Sequence, residues 1–152
     1  MGGSLLTRLR FRIALWCQAR SMPFRVRPSS PLVGILVFVD CASSASYAGL
    51  TAAYILKHVV EVTRRPFFMR GRRCLRQGLL AFRFMKAAGY DVELHFGIDR
   101  TDPQNLRAHC WIVHDGRVAL NSPDASMQAI LVHKATAPAA GDVVDLTASS
   151  FR

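Results

Sequence analysis

The chain has 152 residues, which suits a single domain, and 51% of them are hydrophobic, enough for a packed core without disulfides or metal ions. Its formal net charge is +10, and no acidic residue precedes Asp40. A basic excess of this kind points to an anionic partner, whether nucleic acid, a membrane surface or an acidic peptide.

The four cysteines are spread along the chain at Cys17, Cys41, Cys74 and Cys110, and no two of them form a CxxC pair. This spacing argues against a zinc ribbon or a redox pair, and the cysteines are too sparse for a secreted disulfide scaffold. We therefore expect free thiols in a reducing, cytoplasmic compartment, and neither a cofactor nor a metal ion.

We predict that residues 1–30 form a basic, disordered tail. The same arginine-rich, acid-free start also fits a transit peptide, or an upstream start codon ahead of Met22. The apolar stretch from Pro31 to Val39 is shorter than the ~20 apolar residues that a membrane-spanning helix needs. We therefore expect a soluble protein without firm membrane insertion.

Residues 31–66 are predicted as a helical N-terminal region, since Tyr47 to Val62 carries apolar residues at helical spacing. Residues 67–150 are predicted as the core of the domain. This core opens with the clearest helix of the chain, Cys74 to Ala88, and Gly89 stands where a C-terminal glycine cap belongs.

Beyond this helix the apolar period changes to two. Four segments carry strand signals: Val92 to Ile98, Ala108 to Val113, Arg117 to Asn121 and, as a last short strand, Asp142 to Leu146. The second and third flank Asp115-Gly116, a strong hairpin signal, whereas Met127 to Lys134 is an apolar run without a clear period. One helix followed by antiparallel strands is an α+β arrangement.

Cys74 is a candidate nucleophile because it stands at the start of a long helix. The helix dipole and the free N–H groups of the first turn stabilise an anion, and Arg72, Arg73 and Arg76 add positive charge. The same N–H groups could stabilise an oxyanion. The alternative is a buried helical cysteine beside a solvated basic loop, and cysteine is among the most buried residue types.

A thiol nucleophile needs a base, and the base needs an orienting partner. His109 is the candidate base, with Trp111 on the same face of its strand. Asn121 is the candidate partner: a three-residue loop, which we favour, pairs it with His109. A two-residue Asp115-Gly116 turn instead places Asn121 opposite Cys110 and turns it to the other face.

Two stretches, RRCLRQGLLAFRFMKAAGYDVELHFGID and AHCWIVHDGRVALNSPD, resemble the transglutaminase-like domain of lasso-peptide maturation proteases, the leader peptidase or B protein family. That family has a cysteine opening a helix, a glycine ending it, a strand ending in a Phe-Gly or Ile-Gly pair, a His-x-Trp strand and an Asp-Gly turn. The matching positions are Cys74, Gly89, Gly97, His109, Trp111, Asp115 and Gly116. The resemblance covers residues 45 to 125 approximately.

The resemblance implies a transglutaminase-like, papain-like core in which the catalytic helix packs on a small antiparallel sheet. It also implies a Cys-His-Asp triad whose acid follows the histidine by twelve residues. Cys74 and His109 carry over as nucleophile and base, but the twelfth residue is Asn121. Papain-like enzymes use asparagine in this role, and Asp124 is a nearby substitute.

The activity implied by the resemblance is cysteine-peptidase cleavage of the leader from a ribosomally synthesised precursor peptide. Family members need the precursor delivered by a small recognition domain, fused or separate. The first 40 residues here are too short and irregular for one. A separate recognition protein, and a cyclase that acts on the product, are therefore the implied partners.

A second hypothesis is a non-catalytic basic module that binds nucleic acid or an anionic membrane surface, which the charge favours. The chain carries no known nucleic-acid-binding motif, so we expect no nucleic-acid partner. A metal site formed by Cys74, His109 and His114 is disfavoured, because two histidines five residues apart on a strand face opposite ways.

Overall fold

A computed structural model describes residues 3–27, 32–40, 46–65, 68–101, 104 and 106–134. Four helices precede a four-stranded sheet, which is the predicted α+β arrangement. The helices are α1 (Leu5–Arg25), α2 (Leu32–Asp40), α3 (Ala52–Val62) and α4 (Arg73–Ala87). The strands are β1 (Val92–Asp99), β2 (Arg107–His114), β3 (Arg117–Leu120) and β4 (Met127–Lys134). The strand predicted at Asp142 to Leu146 lies outside the described residues.

The strands form an antiparallel sheet in the order β3-β2-β1-β4. Helix α4 packs on one face of it, against alternate residues of the two central strands, including Leu94, Cys110 and Ile112, which are all buried. Residues at odd positions of β2, among them His109 and Trp111, therefore face away from the body of α4. The apolar run at Met127 to Lys134 is a strand because it pairs with β1.

The hairpin between β2 and β3 differs from the favoured prediction of a three-residue loop. Asp115 and Gly116 both have positive φ, 50° and 70°, and His114 pairs with Arg117, so the turn has two residues. A bulge between Ile112 and Val113 then shifts the register further. The predicted cross-strand pair of His109 with Asn121 is therefore wrong.

Helix α1 corrects the expectation of a disordered tail over residues 1–30. Phe11, Leu15, Ala19 and Met22 recur at helical spacing, and all are buried in the hydrophobic cluster that α1 shares with α3 and α4. Ser4 caps the helix by accepting a hydrogen bond from the Thr7 amide at 3.1 Å. Helix α1 therefore packs against the domain through this apolar face, although arginines stand between the buried residues in the sequence.

Two arginines of the basic segment before and within α4 hold α1 in place. The Arg76 side chain is 2% exposed and donates to the main-chain oxygens of Ala19 at 2.9 Å and Arg65 at 2.8 Å. Arg72 donates to the carbonyl of Val26 at 3.3 Å. These side chains satisfy one buried and two partly buried carbonyl groups, and a buried carbonyl is costly to leave without a partner. They join the N-terminal helix to the start of α4.

Among the described residues, no helix combines the length and the apolar character that crossing a bilayer requires.

Candidate active site around Cys74

Cys74 is the second residue of α4, half-buried, in the first turn where main-chain N–H groups lack intrahelical acceptors. The predicted helix start thus lies within one residue of the observed start. Arg72, the N-cap residue, makes no side-chain capping bond to the N-terminal amides of α4. An anion near Cys74 would meet these N–H groups and the positive end of the helix dipole.

The positive charge around Cys74 comes from fewer arginines than the sequence suggests. Arg76 points into the core and Arg72 toward Val26, where both bond to carbonyl groups. Burial lowers the pKa of the Arg76 guanidinium from its ordinary value, and the nearby Arg20 lowers it further. Arg73 alone of these three keeps an exposed side chain.

Asn121 forms hydrogen bonds with both of the other residues predicted for catalysis, Cys74 and His109. Its side-chain Nδ2 donates to the main-chain oxygen of Cys74 at 3.0 Å and to that of Cys110 at 3.1 Å. Its own main-chain oxygen lies 3.0 Å from His109 Nε2. Within the described part of the chain, no hydrogen bond joins the Cys74 thiol directly to the His109 ring. Asn121 therefore links the main chain of Cys74 to the His109 ring.

The contact between His109 and Asn121 uses the main-chain oxygen of Asn121, while the side-chain amide donates elsewhere. Asn121 has φ 57°, a left-handed conformation that asparagine tolerates better than most residues. This conformation ends β3, turns the amide toward the start of α4 and leaves the carbonyl toward His109. A carbonyl oxygen can only accept a hydrogen bond, so His109 Nε2 carries a proton; in the neutral form of such a ring the lone pair lies on Nδ1.

Asp124, the alternative third member, lies elsewhere. Its carboxylate pairs with Arg107 at 3.3 Å, and both side chains are mostly exposed. An exposed pair of this kind contributes little to stability.

His114 belongs to the metal site that the sequence disfavoured, together with Cys74 and His109. Its ring contacts the main-chain oxygen of Asp91 at 2.8 Å. Among the described residues, no group of three His, Cys, Asp or Glu side chains is placed to hold a metal ion.

Trp111 forms a wall beside His109. The two rings are stacked, with centroids 6.1 Å apart and planes 23° apart, and the centroid of the His95 ring lies 5.4 Å from that of the indole. Gly97 pairs directly with His109 across the strands, and a Cβ at Gly97 would come 2.7 Å from the Trp111 ring. The indole thus fills the space that a side chain at position 97 would need, and it is 5% exposed.

Two glycines matter in ways that the sequence analysis missed or left unexplained. Gly78 lies in α4 where a Cβ would overlap Cys110 Sγ, so this glycine lets the helix approach β2 closely. A signal was present, because a glycine inside an otherwise strong helix costs about 1 kcal/mol and usually has a packing reason. Gly97 was recognised only as part of a family motif. Its role in seating Trp111 depends on the strand register.

The arrangement defines a thiol site at a helix N-terminus beside a sheet that carries a histidine. A family model described as the transglutaminase-like superfamily matches residues 5–132. The chain therefore belongs to the transglutaminase-like superfamily, whose fold is of the cysteine-peptidase type. The match begins at the first residue of α1, so α1 belongs to the family domain. No curated protein and no solved structure matches the chain.

Proposed function

We propose that this protein is a cysteine peptidase that removes the leader from a ribosomally synthesised precursor peptide, as in lasso-peptide maturation. The observation that carries the proposal is the hydrogen-bond network of Asn121, which joins the main chain of Cys74 to His109 Nε2, so that Nδ1 is the nitrogen we assign to accept the proton. The resemblance to the leader peptidases supports the choice of substrate. A separate recognition protein delivers the precursor, and a cyclase takes the product.

In the proposed reaction, His109 Nδ1 removes the proton from Cys74 as Sγ attacks the scissile carbonyl. The first-turn N–H groups of α4 stabilise the oxyanion of the tetrahedral intermediate. His109 then returns the proton to the leaving amine, and a thioester forms on Cys74. Water hydrolyses the thioester to a free carboxylate and restores the thiol. Substrate binding must bring Sγ and Nδ1 within hydrogen-bond reach, which ligand-free active sites often lack.

The test compares two cysteines of the same chain. Cys74→Ala should reduce leader cleavage by about a thousandfold or more, since the nucleophile is gone. Cys110→Ala, the matched control, should keep cleavage within about threefold, because that thiol contacts α4 and not the substrate. The measurement is cleavage of a precursor peptide, with the recognition protein present, followed by mass spectrometry. Full turnover by Cys74→Ala would exclude this mechanism.

Thiol alkylation separates the peptidase from a basic binding module. In a peptidase, iodoacetamide should modify Cys74 near neutral pH well before it modifies Cys110. Cys17 is exposed and serves as an internal standard for an ordinary thiol. If Cys74 reacts no faster than Cys17, the surroundings of Cys74 do not activate its thiol, and Cys74 is not a catalytic nucleophile.

A further inference from the structure

Two adjoining cavities flank the N-terminus of α4. A groove of about 500 Å³ runs between α3 and the end of β3, and a pocket of about 200 Å³ lies next to it. Arg64 and Arg73 line both cavities, so the two adjoin at these side chains, and together they are called the basic cleft. Two of its lining residues are chain neighbours of the candidate active site, since Arg73 precedes Cys74 and Leu120 precedes Asn121.

The walls of the basic cleft are cationic. Lys57, Arg64, Arg70 and Arg73 line it with exposed side chains. In the parts of the chain that the structure describes, no carboxylate forms an ion pair with any of them. The acid among the lining residues, Glu61, faces His58 at 4.0 Å. Several like charges around one concave surface create a local positive potential that favours an anionic ligand.

The floor of the groove is apolar. Leu56 and Val60 of α3 and Leu120 of β3 line it, all half-buried. An apolar floor with cationic walls suits a peptide that carries both apolar and acidic side chains. Single-stranded nucleic acid commonly stacks its bases on aromatic side chains, and among the described residues no aromatic side chain lines either cavity.

We propose that the basic cleft binds an acidic segment of the precursor peptide next to the scissile bond. Apolar side chains of the segment lie on the Leu56 and Leu120 side, and its carboxylates meet Arg64, Arg70 and Arg73. This inference rests on the proposed function, because it takes the peptidase substrate as the occupant. The inference adds a substrate class to the proposed function: a precursor peptide with glutamate or aspartate near the cleavage site.

The experiment measures peptide binding by the full chain carrying Cys74→Ala, so that no cleavage occurs. The probes are two synthetic peptides with an uncharged fluorophore, one alternating leucine and glutamate and the other leucine and glutamine. By fluorescence anisotropy, the glutamate peptide should bind about tenfold or more tightly at low ionic strength, and the preference should shrink in high salt. Equal binding of the two peptides would overturn the proposal.

Matched charge reversals locate the site. Adding Arg64→Glu and Arg73→Glu should weaken binding of the glutamate peptide by about tenfold or more. The control adds Arg10→Glu and Arg117→Glu, two exposed arginines that line neither cavity, and it changes the net charge equally. The control should weaken binding by about threefold at most. If both pairs weaken binding equally, net charge alone attracts the peptide and the cleft is not the site.

Two further arms complete the test. Arg64→Gln combined with Arg73→Gln removes the two charges without reversing them. This pair should weaken binding of the glutamate peptide less than Arg64→Glu with Arg73→Glu does. Circular dichroism checks that each variant is folded. A single-stranded oligonucleotide that bound more tightly than the glutamate peptide, and was lost with the same arginines, would replace the peptide assignment by a nucleic-acid site. Failure of the proposed function looks different, since cleavage by the wild-type chain would be absent while Cys74→Ala still bound the peptide.

Discussion

Cys74 and Cys110 are thiols in the same part of the molecule with opposite environments. Cys110 is 2% exposed on β2, and its sulfur lies against Gly78 of α4. Cys74 lies one turn before Gly78 in the same helix but remains half-buried at the helix N-terminus. The Asn121 amide donates to the main-chain oxygens of both cysteines. A single side chain therefore holds a core cysteine and a candidate nucleophile next to each other.

The difference shows what makes a cysteine suitable for chemistry. Burial raises the pKa of the Cys110 thiol well above its ordinary value, and the nearby Cys74 adds to the effect. Such a thiol stays protonated and inert. Cys74 instead has helix N–H groups, an exposed arginine neighbour and access to solvent. Three predictions test this contrast.

The largest effect is expected at Asn121, which holds the two cysteines together. Asn121→Ala loses the two hydrogen bonds from Nδ2 and forces alanine into a left-handed conformation, so unfolding free energy should fall by about 3 kcal/mol. Asn121→Gly keeps the conformation and should lose about 2 kcal/mol. Urea denaturation measures both. Cleavage by Asn121→Ala should fall about tenfold rather than vanish, because the carbonyl that meets His109 remains.

Asp124→Ala is the matched control for Asn121. It removes an exposed ion pair with Arg107 and should change stability by about 0.5 kcal/mol at most. Cleavage should be unaffected. If Asp124→Ala loses cleavage while Asn121→Ala keeps it, Asp124 is the third member of the site and the network described around Asn121 is not the catalytic one.

A smaller effect is expected at Gly78, which tests how tightly Cys110 is packed. Gly78→Ala places a methyl group against Cys110 Sγ, and this overlap should cost about 1–2 kcal/mol even after the gain in helix propensity. Gly78→Ala combined with Cys110→Ala should recover most of the loss in a double-mutant cycle. An increase in stability for Gly78→Ala alone would mean that Cys110 does not fill this space.

The smallest effect is a dependence of stability on alkaline pH. Because folding raises the pKa of Cys110, the folded state keeps a proton that the unfolded state loses above its own thiol pKa of about 8.5. The stabilisation is complete below that pH and declines above it by about 1.4 kcal/mol per pH unit. Urea denaturation between neutral pH and mildly alkaline pH should show a steeper decline for the wild type than for Cys110→Ala. Equal slopes would mean that Cys110 titrates normally.

Local sequence patterns predicted α4, β1 and the hairpin strands to within one or two residues. These elements could be predicted because apolar periodicity and turn residues are local signals, which do not depend on contacts with distant parts of the chain. Helix α1 was missed although Phe11, Leu15, Ala19 and Met22 carry a helical period, because the arginines between them suggested a solvated tail. The hairpin register could not be predicted, since the bulge at Ile112 and Val113 depends on how β2 and β3 pack.

The sequence by itself determined that a cysteine opens the long helix, that a histidine lies on a later strand, and that Asn121 stands twelve residues beyond this histidine. Only the tertiary structure decided which atom of Asn121 meets His109, which arginines serve the core and which cysteine is buried. The physical reason is distance along the chain. Asn121 contacts Cys74 across 47 residues and Arg76 contacts Ala19 across 57, and burial and hydrogen-bond partners over such separations arise from packing.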